Sequence, residues 1–241
     1  MPKIPKNPEE IFQEFATDYK NIFGDNLIAI ILYGSAASGD YVFKKSDINF
    51  LIILNKQGMK YLRRALPFIK KWKKKNVTTP LILTPEYIQS ALDSFPIEFL
   101  TMKQNHRVIY GEDILAGIEI QPEHLRLQCE REMRGKLLYL REGYLNTNGK
   151  PAQLRRLISL SLPVFSSIFA ALLYLKTEDV SGSKRDIFMR TAAVFELDSK
   201  VFETILELNN KKLKLKKEQF YDLMELYIEQ ITLLTEITDQ L

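Results

Sequence analysis

Hydrophobic positions in the first half of the chain switch repeatedly between two periods. In PEEIFQEFATDYKNIF (8–23), Ile11, Phe12, Phe15, Tyr19, Ile22 and Phe23 recur at helical spacing. Pro8 and two glutamates mark the start of that helix. LIAIILY, ending at Gly34, is a short, β-branched apolar run and predicts a buried strand, and DINFLIIL predicts a second. Residues 57–75 read as helix, TPLILT as a third strand, TPEYIQSALDSF as a short helix opened by Thr-Pro-Glu, and PIEFLTMK as a fourth strand. This alternation stops near residue 115. From PEHLRLQCEREMRGKLLYLREGYL onward the pattern is helical only, over 151–176, 184–195, 198–208 and 217–241, with turns at TNGK (147–150) and VSGSK (180–184). The expected architecture is an α+β N-terminal domain, a mixed sheet with flanking helices over residues 1–118. An all-α helical bundle over 119–241 follows it.

One stretch asks whether the chain enters a membrane. Leu157 to Leu175 runs 19 residues without a charge, long enough to span. It also contains four serines and Pro163, with Arg155, Arg156 and Lys176 at its flanks, so the central helix of a bundle is the preferred reading and no membrane partner is expected. The N-terminus lacks the apolar core of a secretory signal. A single cysteine, Cys129, excludes an internal disulfide framework, and together these features predict a cytoplasmic protein. Two histidines, His106 and His124, cannot form a three-histidine metal site, and both are expected to be structural.

Charge is uneven. Residues 1–115 hold 16 Lys and Arg against 12 Asp and Glu, whereas the remainder balances, so an acidic partner belongs to the first half. The cluster Lys70, Lys71, Lys73, Lys74 and Lys75 around Trp72 raises RNA as such a partner. It falls at an expected helix C-terminus, where cations match the helix dipole. Nucleic acid is therefore not the expected partner.

The chemistry concentrates in LYGSAASGDYVFKKSDINFLIIL, residues 32–54. A strand stops at Gly34-Ser35, a small-residue turn follows, and a second strand opens with Ser46-Asp47-Ile48-Asn49. Glycine allows a ligand close approach to the backbone, and Ser35 with the amides of Ala36 and Ala37 can donate to phosphate oxygens. Alternation turns Asp47 and Asn49 to one side and Ile48 into the core. Two oxygen-bearing side chains opposite a phosphate-binding turn can hold Mg²⁺ against a nucleoside triphosphate.

This arrangement resembles the nucleotidyltransferase superfamily that includes DNA polymerase β, and most closely its aminoglycoside-adenylyltransferase-like, two-domain branch. The family pattern is Gly-Ser, a spacer of about ten residues, then Asp-x-Asp on the next strand; here Gly34-Ser35 and Asp47-Ile48-Asn49 stand in those places. The resemblance implies phosphate binding by Gly34 and Ser35, with Lys44 and Lys45 in reach. It implies a Mg²⁺ site of Asp47, Asn49 and a third acid from a later strand. Glu98, in the expected fourth strand, is the candidate for that acid as metal ligand or general base, with Asp113 the weaker alternative. Asn49 departs from the pattern, because it is neutral where two-metal chemistry uses a carboxylate.

Two functions follow from the resemblance. The first is Mg²⁺-dependent transfer of a nucleoside monophosphate, AMP from ATP, to a hydroxyl of a small-molecule or macromolecular acceptor. Asp47 and Glu98 would be the catalytic residues. The second is a nucleotidyltransferase-like regulator with impaired catalysis that binds nucleotide or a partner protein.

Overall fold

In the computed structural model, residues 4–39, 41–180, 182–210 and 213–241 are described, so Ser181 of the expected second turn lies outside them. The chain divides into two compact units, Met1–Ile120 and Gln121–Leu241.

The first unit is built on a four-stranded mixed sheet. Its strands are β1 (Leu27–Tyr33), β2 (Asn49–Leu54), β3 (Leu81–Leu83) and β4 (His106–Gly111), in the order β3-β2-β1-β4. β1 pairs antiparallel with both β2 and β4, while β3 runs parallel to β2. Helix α1 (Phe12–Phe23) lies against one face, as its stripe of Phe15, Tyr19, Ile22 and Phe23 requires. Phe15 stacks on Phe50 of β2 with ring centroids 3.9 Å apart and meets Trp72 edge-on at 4.9 Å. The helix α2 (Leu66–Lys73), entered through a 3-10 stretch from Gly58 to Ala65, supplies that tryptophan. On the opposite face of the central strands, Ala29, Ile31, Leu51 and Ile53 are also fully buried. Burying each of these isoleucine and leucine side chains stabilises the fold by roughly 1.5–3 kcal/mol.

The fourth strand is not where the sequence pattern predicts it. PIEFLTMK forms helix α4 (Pro96–Gln104), after the short α3 (Pro85–Ala91), and HRVIYG is the strand instead. Pro96 occupies the first helical turn, where its missing N–H is harmless. Ile97, Phe99, Leu100 and Met102 are all buried, so the helix shows no amphipathic stripe and its apolar run carries no period that separates helix from strand. β4 is half-exposed and includes His106 and Arg107, which hid it from the hydrophobic pattern.

The second unit is helical: α5 (Pro122–Asn146), α6 (Pro151–Thr177), α7 (Lys184–Val194), α8 (Ser199–Asn209) and α9 (Lys217–Asp239). α6 contains the uncharged run Leu157–Leu175 and packs against the other four helices. Phe165 and Phe169 of α6, with Phe188, Phe202 and Tyr227, form a chain of ring contacts at its centre. Among the described residues α6 alone is long and apolar enough to cross a membrane. Leu160 and Val164 lie on its exposed side, and Pro163 is exposed next to them.

Candidate functional site: the Gly34–Ser35 turn and the start of β2

Strand pairing brings the two halves of the motif together. Tyr33, the last residue of β1, is the register partner of Asn49, the first residue of β2, so the Gly34-Ser35 turn leaves the sheet beside Asn49. Gly34 has φ +74°, the left-handed region that favours glycine. A Cβ on Gly34 would lie 3.4 Å from Asn49 Nδ2. The turn is anchored from the far strand as well, because the Gly34 amide donates to the Asn105 carbonyl at 3.2 Å, one residue before β4.

The turn is a 3-10 element, Gly34–Ala36, and not a helix start. The amides of Ala37 and Ser38 already donate to the Gly34 carbonyl, at 2.8 and 3.1 Å. The expectation that the Ala37 amide serves a phosphate is corrected accordingly: the turn itself uses it. Asp47 is exposed, Ile48 is fully buried and bridges to Val77, and Asn49 is half-buried, so the expected alternation holds across these three residues. Lys44 and Lys45 are exposed in the preceding turn, which is closed by the amides of Lys45 and Ser46 donating to the Val42 carbonyl.

Thr78, on the approach to β3, completes the arrangement. Its hydroxyl donates to Asn49 Oδ1 at 2.9 Å. No motif marks Thr78 in the sequence, and only the position of TTP before the strand that pairs with β2 places a hydroxyl there.

Glu98 does not join this group by way of the sheet. It lies exposed in the first turn of α4, and the strand placement that made it the third acid is overturned. Neither β3, Leu81–Leu83, nor β4, His106–Gly111, contains an acid that could take its place. Asp113, beyond β4, is engaged elsewhere: it accepts from His106 Nε2 at 2.9 Å and from the Ala116 amide at 3.0 Å. Burial opposes ionisation of Asp113, but those hydrogen bonds prevail and hold its carboxyl below the usual range. His106 Nδ1 lies 2.8 Å from the Lys103 carbonyl, so this histidine ties the end of α4 to β4.

Among the described residues, no three His, Cys, Asp or Glu side chains converge where they could hold a metal. The donor set therefore fits one Mg²⁺ held by the Asp47 carboxylate together with phosphate and water, since that ion commonly takes one or two protein carboxylates. Among the described residues it does not fit a pair of metals bridged by shared carboxylates. The lysine-rich end of α2 is partly neutralised within the unit. Lys71 donates to Asp18 at 2.6 Å and pairs with Glu14, which also accepts from Lys75. Trp72 is fully buried, with its indole N–H on Asp18 at 3.0 Å, and offers no ring to a nucleic-acid base.

No curated protein sequence matches this chain. Residues 9–105 match the model of the nucleotidyltransferase domain family. Among solved structures, the chain is similar to spectinomycin adenyltransferase AAD(9) from Enterococcus faecialis, determined with ATP and spectinomycin. The two share 16% identity with a TM-score of 0.55, over 94% of this chain and 100% of that one. The family match spans α1 to α4 and thus the whole of the turn, Asp47 and Asn49. Residues 9–105 are accordingly similar to the nucleotidyltransferase domain family, and the fold of the chain resembles that of the spectinomycin adenyltransferase.

Proposed function

We propose that the protein binds a nucleoside triphosphate at the Gly34-Ser35 turn and transfers the nucleoside monophosphate, AMP from ATP, to a hydroxyl acceptor. The observation that carries this reading is the register pair Tyr33–Asn49, which sets the turn beside the strand start that follows Asp47. Ser35 would donate to the phosphates, Lys44 and Lys45 would reach them from the next turn, and Asp47 would hold Mg²⁺. When bound, that ion would offset charge on the leaving pyrophosphate. A cytoplasmic location, where ATP is abundant, fits the buried thiol of Cys129. The solved neighbour holding ATP and spectinomycin supports ATP as the nucleotide and a small molecule as acceptor.

A second reading, nucleotide-binding regulation with impaired transfer, is favoured by one observation: Asn49 Oδ1 is engaged by Thr78, leaving Asp47 the only acid of the Asp-x-Asn motif. Pyrophosphate release from ATP with Mg²⁺, over a panel of hydroxyl acceptors, separates the two readings. The transfer reading predicts acceptor-dependent release that Asp47→Ala abolishes. Absence of release with every acceptor, while ATP still binds, contradicts transfer and leaves the regulator.

A further inference from the structure

Asn49 stands where two-metal chemistry would need a carboxylate, and its surroundings give its amide a fixed direction. Thr78 occupies Oδ1 with its hydroxyl hydrogen at 2.9 Å, and the side chain is half-buried, which restricts its rotation. The opposite end, Nδ2, lies over Gly34, close enough that a Cβ there would touch it at 3.4 Å. The amide therefore presents N–H groups to the turn that would receive phosphate. An aspartate at this position would accept the same hydrogen bond from Thr78 but present a charged oxygen to the turn. Anionic phosphate would then require an intervening cation. An amide donor requires none. Two further donors, the Ser35 hydroxyl and the Ser35 backbone N–H, belong to the same turn.

We propose that Asn49, oriented by Thr78, is a direct hydrogen-bond donor to the nucleotide phosphates and not a metal ligand, so that this site binds nucleoside triphosphate without a divalent cation. This rests on the nucleotide reading of the site. It assigns Asn49 a binding role that replaces the metal-ligand role expected from the motif, and Thr78 a positioning role. Mg²⁺ at Asp47 then serves transfer and not affinity.

Calorimetric titration of the full chain with ATP, in Mg²⁺ and in EDTA, tests it. Wild type should bind ATP in EDTA within about threefold of its affinity in Mg²⁺. Asn49→Asp should lose about tenfold or more in EDTA, the value of a hydrogen bond to a charged group replaced by repulsion, and recover on adding Mg²⁺. Thr78→Val should weaken binding in EDTA, whereas Thr78→Ser, which keeps the hydroxyl, should match wild type. Melting curves confirm that each variant is folded, and if Thr78→Val does not fold, Asn49→Asp and Thr78→Ser decide alone. Wild-type binding that disappears in EDTA and returns with Mg²⁺ overturns the inference and leaves the nucleotide reading intact. Equal binding of ATP in EDTA by wild type and Asn49→Asp also overturns the inference. Absence of binding under both conditions defeats the inference together with the reading beneath it.

Discussion

Asp18 and Glu14 determine what the lysines near the end of α2 are free to do. Both acids sit on α1, and between them they engage Lys71, Lys75 and the Trp72 indole. Hydrogen bonds from Lys75 and then Lys71 hold the Glu14 carboxyl below its ordinary value of 4.5. A carboxylate depressed in the folded state contributes stability that is fully present above the unfolded value and is lost as pH falls through the folded one. The Glu14 side chain is 46% exposed, so solvent screening keeps the contribution to about 1 kcal/mol or less. Glu14→Gln is expected to be less stable than wild type at pH 7 by that amount, with the gap closing as pH drops well below 4.5. Denaturant titrations at neutral and acid pH read this difference; a gap that widens on acidification would contradict the assignment. At this scale the sequence pattern placed Gly34 and Ser35 at the end of β1 and Asp47 just before β2, where the structure has them. Thr78 was not legible, because a hydroxyl before a strand has no pattern until the strand's neighbour is known.

Among the elements, β4 both completes the sheet and anchors the turn. Its end depends on Gly111, which has φ +77° and lies against β1 so closely that a Cβ would approach the Ile28 carbonyl oxygen to 1.9 Å. Gly111→Ala combines an unfavourable backbone conformation with a clash against backbone that cannot yield. It should destabilise the first unit by at least ~2 kcal/mol. A thermal melt that leaves Gly111→Ala within experimental error of wild type would show that the β1–β4 pairing is not as described. The exchange of α4 for β4 in the reading of the sequence has a physical cause at this same scale. Ile, Phe and Thr in PIEFLTMK favour strands, but a short helix buried over most of its surface has no polar stripe to betray it. By contrast α5, α6 and α9 are long, and their bounds were legible within a residue or two.

Across the whole molecule, the charge asymmetry and the candidate chemistry fall in the same half of the sequence, while the second half is given to helix packing. The positive surplus of the first half does not by itself identify the nucleotide site. Lys70, Lys73 and Lys74 border an open surface with Leu66 and Ile69 on α2, a second cationic surface of this unit. The proposed triphosphate site is instead the Gly34-Ser35 turn. The most direct test is a crystal structure of the protein with a non-hydrolysable ATP analogue. Phosphate oxygens are expected within hydrogen-bond distance of Ser35 and of Asn49 Nδ2, with Thr78 still on Asn49 Oδ1. Analogue bound with its phosphates on the α2 lysines, and nothing at the turn, would contradict this placement.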